Sequence, residues 1–179
     1  MPNKEPAKPK PKPKPKTTVN NMLNTFLIIN KAVQDLQNCL NKNCKYEKEN
    51  MMKNEYSIRA MNLSQELLNN KISMAVFVKE EKELNKKILK CKENKALIKC
   101  QLNKCYDETT HGLNISIDKL LEFSPKDSMG YKFAIEYNKN MRNKKLTEKM
   151  IKYIHIKMKA VNEENLKILQ DIKTNNQKK

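Results

Sequence analysis

Four of the five cysteines fall into two C-x4-C pairs, Cys39 with Cys44 and Cys100 with Cys105, placed symmetrically about residue 72. A chain folded back there as two antiparallel helices brings Cys39 level with Cys105 and Cys44 level with Cys100. The reversal then falls beside Asn69-Asn70-Lys71, a polar stretch suited to a turn. Three readings of the cysteines stay open. In the first, Cys39–Cys105 and Cys44–Cys100 are disulfides and Cys91 is the odd thiol. Closing a loop of about sixty residues stabilises a fold by about 4 kcal/mol in the entropic account. Residues five apart differ by about 140° around a helix, so both pairs bridge only by flanking the seam or by a helix break near Cys44. In the second, Cys91, Cys100, Cys105 and His111 supply soft metal ligands, although C-x4-C on a helix splays its thiolates, unlike the C-x2-C of zinc knuckles. In the third, all five are reduced, mostly buried thiols.

What the chain lacks points to helix. It has two glycines, no tryptophan and only 6% aromatic residues, so it has few means of building a sheet. The formal charge is +17, and Arg59 and Arg142 are the only arginines among 37 basic residues. The 24 asparagines share A/T-rich codons with lysine, so part of the bias reflects genome composition as well as charge. The longest apolar run, Met74–Val78, is far short of the roughly 20 residues that span a bilayer. The first residues carry no apolar h-region and no arginine-rich amphipathic stretch, which leads to the expectation of a chain on the cytosolic side of membranes.

The resulting reading is all-α: a long antiparallel helical hairpin plus a third long helix, preceded by a disordered Pro/Lys arm. Residues 1–18 hold six of the seven prolines, and Ala7–Lys16 alternates lysine with proline. Alternating proline forbids helix and favours extended polyproline II. Lys8, Lys10, Lys12, Lys14 and Lys16 then point around the axis, as an arm for polyanions or as a solvated tail. Residues 19–107 form the hairpin, with its turn near 69–73. Val19, Met22, Phe26, Ile29, Val33, Leu36 and Leu40 make the first stripe, which falters over 41–50 and resumes through Met51, Ile58, Met61 and Leu68. The return stripe is Phe77, Leu84, Ile88, Cys91, Ile98, Leu102 and Cys105.

Two arms bury one seam, so a third helix or a partner is required. Residues 108–131 read as a joint with a turn at Thr109–Gly112 and a short helix through Ile117 and Leu121; Ser124-Pro125 opens the next helix. That helix covers 132–173, and 174–179 is a disordered tail. Ile151, Ile154, Met158, Val161, Asn165, Ile168 and Ile172 fit an a/d seam with Asn165 at an a position, where a buried asparagine fixes register and partner number. The seam either packs on the hairpin or drives self-association.

Signals of catalysis are missing. His111 and His155 lie in no motif with a nucleophile, two glycines make no phosphate loop, and the carboxylates are scattered among lysines. No cofactor or metal is expected. The local sequences Cys39-Leu-Asn-Lys-Asn-Cys44-Lys-Tyr-Glu47 and Cys100-Gln-Leu-Asn-Lys-Cys105-Tyr-Asp-Glu108 are alike. With the Lys/Asn bias and the Pro-Lys arm, this twin motif resembles small twin-cysteine helical virion proteins of nucleocytoplasmic large DNA viruses. The resemblance implies a minor capsid or virion component, in the virion or the cytoplasmic virus factory, with disulfides made by viral thiol oxidases. The chain is also similar to twin-cysteine hairpins of the mitochondrial intermembrane space, but departs from their C-x3-C and C-x9-C spacings. A non-enzymatic structural or assembly protein with protein or polyanion partners is therefore expected, and a nucleic-acid-binding or condensing protein is the alternative.

Overall fold

Most breaks in the helical path of this protein are a single residue wide. The structure is a computed structural model that describes residues 19–178, with side chains from Leu23 onward. The proline-lysine arm, with Lys8 to Lys16, lies outside the described residues. The first hairpin arm is α1 (Val19–Asn43), α2 (Lys45–Lys53) and α3 (Glu55–Leu68), interrupted only at Cys44 and Asn54. The return arm is α4 (Met74–Lys90), α5 (Lys92–Lys104) and α6 (Tyr106–Phe123), interrupted only at Cys91 and Cys105. Two further helices follow, α7 (Met129–Asn140) and α8 (Glu148–Gln177). No strand occurs among the described residues.

The arms pair antiparallel, α1 on α6, α2 on α5 and α3 on α4, which makes a rod roughly 75 Å long at 1.5 Å per residue. The reversal is at Asn69 and Asn70. Asn70 takes φ 57°, the left-handed conformation that asparagine tolerates. The Lys71 N–H donates to the Glu66 carbonyl (2.8 Å) and the Asn70 N–H to Leu67 (3.1 Å), so the last carbonyls of α3 are satisfied. Ser73 then caps α4, its Oγ accepting from the Val76 N–H.

α7 packs on α6, while α8 runs back along α5 and α4. Their apolar faces build the main core: Ile98 and Ile117 meet Phe133, Ala134, Tyr137, Ile151 and Ile154. A second core near the turn holds Leu63, Phe77 and Leu84, with Leu166 of α8 packed against it. The expected third helix is thus present, but it is divided. Residues 132–173 are not one element: Asn143 at φ 69° turns the chain, and Thr147 starts α8 by accepting from the Met150 N–H.

Other boundaries move too. Thr109–Gly112 lies inside α6 and not in a turn, so the hairpin extends to Phe123. Ser124 ends α6 in extended conformation, as a residue before proline must. Ser128 is the true cap of α7, with the Tyr131 N–H donating to its Oγ. The first-arm seam also shifts phase. In α1 the expected Leu36 and Leu40 do pack inward, but Ala32 is buried in place of Val33, and Phe26 and Val33 are exposed. In α3, Leu63 is buried but Ile58, Met61 and Leu68 are exposed, because the break at Asn54 resets the helical phase.

Candidate functional site: a cross-linked waist

Sixty-one residues separate Cys39 from Cys100, and the same number separate Cys44 from Cys105. The structure turns this repeat into a local two-fold. The first cysteine of each pair lies in a regular helix, α1 or α5. The second is the residue at which that helix breaks, Cys44 at φ −129°, ψ 29° and Cys105 at φ −131°, ψ 38°. Each break keeps the same two hydrogen bonds. The Cys44 N–H donates to Leu40 and its carbonyl accepts from Lys48; the Cys105 N–H donates to Gln101 and its carbonyl accepts from Thr109.

These breaks resolve the problem of residues five apart on a helix. Leaving helical dihedrals for one residue turns the second cysteine back toward the facing arm, so both pairs fall within bonding reach. Cys39 meets Cys105 with sulfurs 2.10 Å apart, and Cys44 meets Cys100 at 2.09 Å, both at disulfide distance. Cys44 and Cys105 are fully buried, packed with Leu40, Cys100, Leu36 and Leu97 in a small apolar core. The buried Thr109 hydroxyl donates to the Cys105 carbonyl (2.6 Å) and accepts from the Gln101 amide, which stitches the second break closed. At the first break, Lys104 reaches across to the freed Asn43 carbonyl (3.5 Å).

A carboxylate stands beside each pair, Glu108 by Cys39 and Cys105 and Glu47 by Cys44 and Cys100, with ligand atoms within 4.8 Å. Sulfurs joined to each other present no thiolates to a cation, so either triad would need reduction before it could hold one. Cys91 is unpaired; it sits half-buried at the break between α4 and α5, its thiol directed at the Ile88 carbonyl. His111 is on α6, and the Cys91–Cys100–Cys105–His111 set is not brought together as ligands: Cys100 and Cys105 have other partners. Asn165 is exposed on α8. The α8 seam divides near it: Ile151, Ile154 and Val161 are buried on the hairpin, whereas Ile168 and Ile172 stand about half exposed.

The two arginines do work that their sequence positions did not announce. Arg59 joins Glu66 (3.0 Å) to Glu80 (2.7 Å) and so ties α3 to α4 beside the turn. Arg142 makes a two-pronged pair with Asp118 at 2.6 and 3.1 Å and also donates to Asn138, which holds the end of α7 on α6. The Arg142 fork holds the Asp118 carboxyl below its ordinary range. The signal was compositional: where lysine supplies nearly all the charge, the rare arginines take sites that need a planar fork.

A groove between α4–α5 and α8 is lined by Ile88, Leu89, Asn94, His155, Ile156 and Met158. The Asn94 amide nitrogen is buried there without a hydrogen-bond partner. Desolvation, aided by Lys159, pushes the His155 pKa down and favours neutral imidazole. Among the described residues no nucleophile hydrogen-bonds to His155, and the other shifted groups are the buried Tyr137, Tyr153 hydrogen-bonded to Glu136, and partners in ion pairs between elements. Comparison with protein-family models, with curated proteins and with solved structures finds no match to this chain.

Proposed function

We propose that this protein is a non-enzymatic structural or assembly component, a stapled helical rod that keeps its shape while partners assemble on it. The observation that carries the reading is the waist, where two cross-links each join a helix break on one arm to a regular helix on the other. Two such bonds at mid-length resist splaying of a hairpin whose first arm leaves Phe26, Val33, Ile58 and Met61 exposed. A scaffold needs that combination of rigidity and uncovered apolar surface. The basic arm, with Lys8, Lys10, Lys12, Lys14 and Lys16, supplies contact with a polyanion or an acidic protein face. The twin-cysteine resemblance makes a minor virion component, in the particle or its cytoplasmic factory, the setting we favour.

The test is fractionation of the source particle or cell with non-reducing peptide mapping. The expected result is this chain at constant stoichiometry in one large assembly, with the Cys39–Cys105 and Cys44–Cys100 peptides linked. A freely soluble pool with all five thiols reduced refutes the reading. Nucleic acid as the polyanion has its own signature: affinity falls by about 0.9 logarithmic units per phosphate neutralised for each tenfold rise in salt, and the slope flattens when residues 1–16 are removed.

A further inference from the structure

Charge is spread over almost the whole of this chain, 32% of residues, yet Thr17–Asn30 contains none. These fourteen residues include the start of α1, and they directly follow the lysine-proline run. Among its described side chains four large apolar ones are uncovered: Leu23, Phe26 and Leu27 are 54%, 60% and 56% exposed, and Ile28 is 48% exposed. Leu23 and Leu27 lie on the side of α1 away from Ala32 and Leu40, which pack inward, and Phe26 flanks that inward face. The antiparallel register places the end of α6 beside the start of α1, so exposed Phe123 and Met129 belong to the same end of the rod. The protein has four phenylalanines: Phe77 and Phe133 are core residues, while Phe26 and Phe123 are both exposed at this end. Lys119 rests 5.8 Å over the Phe123 ring.

We infer that this end of the rod is a seat for an anionic lipid surface, with Leu23, Phe26 and Leu27 entering the headgroup–acyl boundary and the preceding lysines held by anionic headgroups. The inference rests on the polyanion reading of the arm and names its partner. Stable attachment to a bilayer takes two signals, an apolar insertion and a basic cluster, and here they are contiguous in the chain. A second copy of the protein would use only the apolar patch and would add another +17 charge to the complex. Nucleic acid would use only the lysines, since an uncharged apolar helix face offers nothing to phosphates. A lipid surface uses both. No helix among the described residues is long and apolar enough to cross a membrane, so the seat is interfacial.

The experiment is co-sedimentation of the full chain with vesicles of equal parts phosphatidylserine and phosphatidylcholine, and with vesicles of phosphatidylcholine alone. Binding to the first and not the second is expected. It should fall about tenfold or more both in Leu23→Ser/Phe26→Ser/Leu27→Ser and on removal of residues 1–16. The three serine positions are exposed, and an unchanged helical circular dichroism signal and melting temperature establish that the variant is folded. Equal vesicle binding by the triple variant overturns the inference. So does a failure to bind vesicles, and duplex DNA then separates the cases. DNA binding leaves the polyanion reading of the arm standing, whereas binding to neither removes both. A dimer in sedimentation equilibrium that the triple variant dissociates, with no vesicle binding, overturns it in favour of self-association.

Discussion

Removing the two waist bonds singly and together should give unequal costs, and the inequality follows from their nesting. The inner bond, Cys44–Cys100, spans 56 residues and the outer, Cys39–Cys105, spans 66. Alone, either closes a loop in the unfolded chain whose lost entropy corresponds to about 4 kcal/mol. Once one is present, the other closes only the ring made of 39–44 and 100–105, about a dozen residues, for about 3 kcal/mol. Cys39→Ala/Cys105→Ala and Cys44→Ala/Cys100→Ala should therefore each cost about 3 kcal/mol, and the quadruple variant about 7. That total is a large share of the 5–15 kcal/mol typical of a folded domain, so the quadruple variant should be marginal or unfolded at room temperature. Guanidinium unfolding followed by helical circular dichroism measures all three. Single costs that add up to the quadruple cost would refute the nesting, because independent loops behave that way. Single costs near zero would refute the cross-links as a source of stability.

Gly112→Ala should stabilise the protein by about 0.5–1 kcal/mol, since a Cβ there meets nothing within 4 Å and the residue is helical. A thermal shift upward checks this. Gly130→Ala serves as the contrast, because its Cβ would approach Ser124, Leu120 and Val161 at 3.1–3.3 Å. Arg142→Lys should cost about 0.5 kcal/mol, small because Asp118 is half exposed, and its penalty should shrink in high salt. Stability should rise with pH through the ordinary histidine range: His155 has a lowered folded pKa, so below about 6.5 the unfolded chain binds the extra proton. His155→Gln should flatten that slope in denaturant titrations at a series of pH values. Deleting residues 171–179 should leave stability unchanged, because the side chains of 171–178 are exposed, while Ile154→Ala should cost about 2–5 kcal/mol.

The fold-back was legible because its markers are punctuation. Two cysteine pairs share a centre, and an asparagine able to adopt a left-handed conformation sits beside it. The seam of α3 was not legible. One extended residue at Asn54 shifts helical phase without changing composition, so the apolar periodicity carried across it picked Ile58 and Met61 where Leu63 is the buried residue. Gly112 misled in the opposite sense. Glycine usually punctuates, but inside α6 its missing side chain costs only propensity, and the helix runs through. The division of the last helix at 141–147 had a weak local sign in Thr147-Glu148, a capping residue followed by an acid. At the waist, the level alignment of the cysteines was readable, whereas the break at Cys105 was not, because Gln101 to Thr109 looks like unbroken helix.

The waist also changes how the chain bears tension. The start of α1 is at one end of the hairpin and α8 runs toward the other, so a pull between them travels along the rod. With Cys39 joined to Cys105, the load passes directly through sulfur and bypasses everything between. About 66 residues, some 220 Å of contour when drawn out, are then withheld from extension. The described helices outside that span, most of α1, α6, α7 and α8, can unravel under load, but the chain between the two cysteines adds no length until the bond is reduced. Reduction of that bond would release the withheld span and lengthen the chain under load.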